Sequence, residues 1–343
     1  MTRLIQIQNG KTRAVALVEE PRLRLLDGVN SIFQLAQQAV DSKISLVALI
    51  QKKATGNFPD YDEIYFGKSD WKLLSPVDHP AEPARCLVSG TGLTHLGSAK
   101  NRQAMHSGTG FQPVQDRQDA CPTTDSMKMF KWGVEGGKPA PGKIGVAPEW
   151  FYKGCGTILR APNEPLEVPA FAEDGGEEAE IAGIYLVDAD GNPRRIGMAI
   201  GNEFSDHKFE KKNYLNLAGS KIRTCALGPE LVIDPQFDSL SGSANILRTG
   251  KILWSKEILT GENEMCHSLA NIEHHHFKFE THRRPVDLHV HFFGACALSF
   301  GDGVQLADGD VMEIGFAGFG RALRNPLRIV RGAATLVSVK SMA

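Results

Sequence analysis

From Lys143 onward the chain is written in short apolar runs that repeat with a period of two and are broken by turn residues: GTILRAP, IAGIYLV, IGMAIGN, GPELVI, ILRTGKILWS, VDLHVHFFG and DVMEIGF. Alternation of this kind places one set of side chains on each face of a strand, so these runs predict strands and not helices. One helix is expected among them, near Ser268 to Phe277. No fixed-period repeat is visible. The pattern predicts an α+β chain dominated by β-structure.

The first 82 residues read differently. LIQIQ, NGK and TRAVALVEE predict a hairpin, with Asn9-Gly10 supplying the positive-φ residues of a tight turn. Between Asn30 and Lys53 the apolar residues Ile32, Phe33, Leu35, Ala36 and Val40, then Ile44, Leu46, Val47 and Ile50, follow helical spacing with a break near Asp41-Ser42. The stretch from Gly56 is polar and proline-rich and predicts a linker near Pro76–Pro83. With 343 residues, about two domains are expected. The division read here is a small N-terminal α+β domain, 1–82, and a larger domain, 83–343. Within the latter, 107–124 is polar and aperiodic and reads as a mobile insertion.

Composition excludes several classes. Apolar residues make up 42% and charged residues 23%, ordinary values for a globular protein, and the formal charge of -2 offers no field for nucleic acid or an anionic membrane. The start, MTRLIQIQNG, lacks a signal-peptide pattern, and HFFGACALSF is too short to span a bilayer. Six scattered cysteines without CxxC read as reduced thiols, which points to the cytoplasm.

One run stands out chemically. EDGGEEAEIAGIYLV puts Glu177, Glu178 and Glu180 at the mouth of a buried strand. Residues two apart share a face at roughly 6–7 Å, so Glu178 and Glu180 lie together while Glu177 points away. Two adjacent carboxylates repel unless a cation joins them, and hard divalent ions take oxygen ligands. Glu203, just after the next apolar strand, is the candidate third ligand, with Asp206 as its competitor. A solvated acidic strand edge is the competing reading.

FYK at Phe151–Lys153, ExE at Glu178–Glu180, GNxxS at Gly201–Ser205, SK at Ser220-Lys221, GPEL at Gly228–Leu231 and GDV at Gly309–Val311 fall in one order. Over roughly Ala84 to Leu327 they resemble the catalytic domain of the fumarylacetoacetate hydrolase superfamily. GGEE, NEFSDH, EHHHFK and FGxxLRNPL bring the resemblance closest to its sugar-acid branch, which includes 2-keto-3-deoxy-pentonate dehydratases. The resemblance implies a mixed β-sandwich or roll, a homodimer, and a metal held by Glu178, Glu180 and Glu203. The ion expected is Mg²⁺, with Mn²⁺ or Ca²⁺ as alternatives. It also implies functional lysines at Lys221 and Lys153. The chain departs from the pattern in three places. Glu203 stands where aspartate is usual, Phe316 stands where a substrate-holding threonine follows GDV, and the early histidine has only His95 or His106 as a match.

The expected substrate is therefore a 2-oxo acid, most simply a 2-keto-3-deoxy sugar acid dehydrated through an enolate that the metal stabilises. Lys221 or Lys153 is the candidate base, with Lys221 favoured because it follows the acidic strand. Either requires a lowered pKa. His95 or Glu149 would protonate the departing hydroxyl. Arg324, Asn325 and Phe316 are candidate substrate contacts. Acylpyruvate-type C–C hydrolysis and 2-oxo acid decarboxylation are the alternatives on the same scaffold, and a binding protein without turnover is the alternative of another class. His274, His275 and His276 cannot converge on one ion if they are helical, because successive residues point about 100° apart. His289 and His291 share a strand face. These five are read as structural or pocket-lining.

Overall fold

The computed structural model describes residues 1–107 and 124–342. All statements of absence below concern these residues. The 107–124 insertion lies outside them except for its end residues.

Sixteen strands form two sheets. In chain order they are β1 (Thr2–Asn9), β2 (Thr12–Glu19), β3 (Arg22–Leu25), β4 (Lys72–Leu73), β5 (Cys86–Gly92), β6 (Glu149–Cys155), β7 (Leu159–Arg160) and β8 (Leu166–Val168). They continue with β9 (Ala179–Val187), β10 (Pro193–Asn202), β11 (Cys225–Ile233), β12 (Leu240–Arg248), β13 (Lys251–Thr260), β14 (Leu288–Phe292), β15 (Val311–Phe316) and β16 (Leu323–Ile329). The larger sheet has eleven strands in the order β3-β2-β1-β11-β10-β9-β14-β5-β6, with β4 beside β1 and β7 beside β11. The smaller runs β13-β12-β15-β16-β8. Eight helices decorate them: α1 (Ile32–Ser42), α2 (Leu46–Lys53), α3 (Tyr61–Tyr65), α4 (Leu96–Ser107), α5 (Asp125–Gly136), α6 (His207–Lys212), α7 (Leu217–Lys221) and α8 (Leu269–Phe277).

Strand alternation gives the large sheet two main cores, beside a smaller one where Ile5, Ile7 and Leu23 meet Tyr61 and Ile64 of α3. Ile181, Met198, Ile200, Ala226 and Val232 of the large sheet pack against Ala244, Ile246, Met312, Ile314 and Phe316 of the small one. On the opposite face Ala182, Ile184, Ala199, Leu227 and Leu231 pack beneath α1 and α2 through Ile32, Leu35, Leu49 and Ile50. β9 is buried along its whole length, as a strand covered on both faces must be.

The period-2 runs form strands except in GTILRAP, where Gly156–Ile158 makes a 3₁₀ turn and only Leu159–Arg160 pair, and the expected helix is α8, with Ser268 capping its N-terminus. The break between α1 and α2 falls at Lys43, which is left-handed at φ 54°. The hairpin turn lies one residue later than the sequence suggests. Asn9 pairs with Thr12, so Gly10 and Lys11 form the loop and only Gly10 has positive φ. Four elements were not expected. α3 and β4 sit in the polar stretch taken as loop and linker. α4 and α5 flank the insertion, where Thr124 caps α5 through the Met127 N–H. The proposed division at 82 falls between β4 and β5. The same sheet runs on both sides of it, because β1 pairs with β11 through Thr2–Ile233, Arg3–Val232 and Leu4–Leu231.

Candidate metal centre

β9 and β10 run antiparallel with Asn202 opposite Ala179, and the pairing continues past Asn202 where the Glu203 N–H donates to the Glu178 carbonyl at 3.0 Å. This register brings the acidic ends of the two strands together. The Asn202 side-chain oxygen accepts from the N–H of Glu178 (3.2 Å) and of Phe204 (3.3 Å), pinning both ends. Phe204 is fully buried with φ at +37°, a conformation that bulky residues adopt only when their surroundings impose it.

Glu178, Glu180 and Glu203 converge: one carboxylate oxygen from each lies within 4.8 Å of the others, and all three residues are buried. Among the described residues no other group of three or more His, Cys, Asp or Glu side chains meets in this way. Glu177 points elsewhere, as strand alternation requires, and accepts from the Ser299 N–H (2.7 Å) and hydroxyl (2.8 Å). Asp206, the competitor, caps α6 through the Phe209 N–H (3.0 Å) and pairs with Arg223 (2.6 Å).

Two buried lysines meet these carboxylates. Lys221, at the end of α7, contacts Glu178 and lies 2.5 Å from Glu203. Lys153, on β6, reaches Glu203 at 2.6 Å and also donates to the carbonyls of Phe204 (2.7 Å) and Lys221 (2.9 Å). An ammonium has three donors, and all three of Lys153 are in use. Burial alone would lower the Lys221 pKa, but Glu178, Glu203 and Glu210 outweigh it and hold the ammonium well above its ordinary value. Glu178 is correspondingly held well below the carboxylate range, because Lys221 and His207 overcome its burial. His207 contributes Nε2 at 3.2 Å.

Glu180 is left over. Its described partner is the Gly294 N–H at 2.7 Å, and burial, reinforced by Glu203 and Glu178, raises its pKa well above 4.5. The two lysines pair with Glu178 and Glu203, and neither pairs with Glu180. That unpaired carboxyl, the all-oxygen donor set and the convergence fit a hard divalent cation. The Lys221 ammonium between Glu178 and Glu203 stands in for part of that positive charge.

The remaining candidates make their contacts with residues other than these carboxylates. His95 is buried between two threonines. Thr94 donates its hydroxyl to the Phe293 carbonyl (2.8 Å) and so accepts from His95 Nδ1 (2.9 Å), which leaves Nε2 to accept from Thr260 (3.1 Å). Burial lowers its pKa to about 4, so the ring is neutral. Phe316 packs in the core between the sheets. Asn325 is buried and donates to the carbonyls of Ala161 (3.0 Å) and Glu164 (2.8 Å). Arg324 pairs with Glu313 at 3.2 Å on the small sheet. The structure therefore unites Glu178, Glu180, Glu203, Lys221 and Lys153, and gives His95, Phe316, Arg324 and Asn325 other partners.

Sequence reasoning missed three contributors. His207 ends NEFSDH, four residues after Glu203, and proximity could have flagged it. Arg102 comes from α4, which the sequence did not reveal, and pairs with Glu149 (2.8 Å) and Glu210 (2.7 Å) beside the centre. Gly294, at φ +103°, brings its N–H to Glu180, and a Cβ there would lie 2.1 Å from the Thr94 hydroxyl. The tract His274–His276 forms part of α8 and packs with β14. His276 donates to His289 across 3.0 Å, and His291 sits between the hydroxyls of Ser89 (2.8 Å) and Thr91 (2.7 Å).

Known structures share this architecture. The chain aligns over 96% of its length with the whole of a 2-keto-3-deoxyarabinonate dehydratase, at a TM-score of 0.68 and 18% identity. The chain has the fumarylacetoacetate-hydrolase-like fold. A second match, at the same score, coverage and identity, is 2-keto-3-deoxy-D-arabinonate dehydratase complexed with magnesium and 2,5-dioxopentanoate. A third is 2-hydroxyhepta-2,4-diene-1,7-dioate isomerase from Mycobacterium marinum, with a TM-score of 0.57, 17% identity, and 96% of this chain aligned to 99% of that one. No family model and no curated protein matches the sequence.

Proposed function

We propose that this protein is a divalent-metal-dependent enzyme acting on a 2-oxo acid, and that its reaction is dehydration of a 2-keto-3-deoxy sugar acid. The observation that carries the reading is the buried triad Glu178, Glu180 and Glu203 on a fold shared with a dehydratase solved with magnesium and 2,5-dioxopentanoate. A bound Mg²⁺ or Mn²⁺ supplies Lewis acidity toward the carboxylate and carbonyl oxygens of a 2-oxo acid.

The chain's own groups divide the remaining work. Lys153 holds Glu203 and the backbone of Phe204 and Lys221 in register. Lys221 is the group beside the ligands that can move the C3 proton. Its carboxylate contacts keep it protonated as it stands, so its action as base requires Glu178 and Glu203 to be engaged elsewhere. The C4 hydroxyl leaves as water with a proton that Glu149 or His95 would supply. Each must first take up that proton, because both Glu149 oxygens accept from Arg102 and one also from Tyr214 (3.0 Å), and His95 Nε2 accepts from Thr260.

The test is an assay of purified protein with Mg²⁺ or Mn²⁺ against 2-keto-3-deoxy sugar acids and acylpyruvates. Semialdehyde formation with loss of water is expected. Pyruvate release from acylpyruvates, without dehydration, would replace this reading with C–C hydrolysis. A homodimer in the cytoplasm completes the proposal. Five free cysteines among the described residues support a reducing compartment, and no described helix is long and apolar enough to cross a membrane.

A further inference from the structure

We propose that Phe151 is a positioning residue whose ring face keeps the Lys221 amino group beside the glutamates when Glu178 and Glu203 turn to a metal ion. The inference rests on the metal-dependent reading above. Lys221 Nζ lies over the Phe151 ring, 4.8 Å from its centroid. The ammonium's other contacts among the described residues are Glu178 and Glu203. Phe151 is 5% exposed and Lys221 1%, so little water competes for the ring. The face of an aromatic ring carries partial negative charge and attracts an ammonium group, more strongly where both are desolvated.

The ring can lie there because the backbone beside it is bare. β6 alternates, with Glu149, Phe151 and Lys153 buried and Trp150 and Tyr152 at the surface. Gly90 on β5 lies opposite Phe151, and a Cβ there would sit 2.5 Å from the ring's Cζ. Gly92 lies opposite Glu149, where a Cβ would meet Oε1 at 2.0 Å. Neither glycine has positive φ, so SGTG at Ser89–Gly92 uses glycine for space and not for a turn. When Glu178 and Glu203 give their oxygens to a hard cation, Lys221 loses two of its three contacts and meets like charge. The ring offers the cation no oxygen, so the ring contact is the one left to Lys221. Without it the side chain, one residue before the exposed Ile222, would be free to swing toward solvent.

The experiment measures the acetylation rate of Lys221 by acetic anhydride in the full-length protein, with and without Mg²⁺, by peptide mass spectrometry. Calorimetry first establishes that Mg²⁺ binds. In the wild type Lys221 should stay protected in both states. In Phe151→Leu it should stay protected without metal, where the glutamates hold it. With Mg²⁺ bound, the variant should react roughly tenfold faster, the scale of a desolvated cation–ring contact. Mono-, di- and trifluorinated phenylalanines at position 151 withdraw charge from the ring face at nearly constant size, and the Mg²⁺-dependent rate should climb with each fluorine. This series decides the matter if the leucine variant does not fold. Lys221 that is unprotected in the Mg²⁺-loaded wild type, or protected with Mg²⁺ whatever stands at 151, overturns the inference alone. So does a variant that reacts equally fast in both states, because that is loosened packing. If the wild type binds neither Mg²⁺ nor Mn²⁺, the metal-dependent reading fails and takes this inference with it.

Discussion

At the scale of single residues, the centre is an arrangement of charges that must be balanced inside the protein. Glu180 has no cationic partner, so Glu180→Gln should leave the fold standing and weaken Mg²⁺ binding at least tenfold, read by calorimetry. Lys153 should behave in the opposite way. Its removal strands a buried carboxylate and frees two carbonyls, and breaking a buried ion pair costs about 3–5 kcal/mol. Lys153→Met is therefore expected to lower the melting temperature sharply. A variant that melts like the wild type but loses turnover would instead make Lys153 a chemical participant. The glutamates were legible in the sequence because strand parity fixes which of three neighbours share a face. The division of labour between the lysines was not, because it depends on how many donors each ammonium has already used.

At the scale of elements, α8 and β14 pack a row of neutral histidines. Burial lowers His289 and His291 to about 3, and burial with the neighbouring imidazoles lowers His276 further. The groups facing them are the hydroxyls of Ser89 and Thr91, the Trp150 indole, His282 and the Phe277 ring, with Asp287 opposing the shift at His289. The unfolded chain binds protons at these positions near pH 6.5, and the folded chain does not. Their contribution is thus complete above about pH 6.5 and is lost as pH falls toward 3, by about 1.4 kcal/mol per pH unit for each proton. Denaturant midpoints measured between pH 7.5 and 5 should fall steadily, and His291→Gln should flatten the slope. The sequence showed that three consecutive helical histidines cannot share an ion. It did not show that α8 would lay them against His289 and His291, because that contact joins elements far apart in the fold.

For the whole molecule, the N-terminal segment is sewn into the large sheet. β1 extends it beyond β11, and α1 and α2 cover one of its faces. Glu230, fully buried on β11, accepts from Arg3 (2.8 Å), the Tyr61 hydroxyl (3.0 Å) and the Arg321 N–H (3.1 Å). Arg321 in turn lies over the Tyr61 ring at 3.8 Å and pairs with Glu20 and Asp62. A chain beginning at residue 83 would expose the apolar face under α1 and α2 and the edge of β11. It is expected to be insoluble or to lack a cooperative thermal transition. A sharp transition near that of the full chain would show that 83–343 folds on its own.

Local pattern determined the strands, the α1–α2 break, the helix at α8 and the sharing of a face by Glu178 and Glu180, because periodicity and strand parity act between residues close in sequence. Tertiary structure alone decided that Asn202 and Gly294 would pin the glutamates, that His95, Arg324, Asn325 and Phe316 would be engaged elsewhere, and that Arg102 would be held between Glu149 and Glu210. Those outcomes depend on which distant groups burial brings within hydrogen-bond reach, and on the charge left over once they have paired.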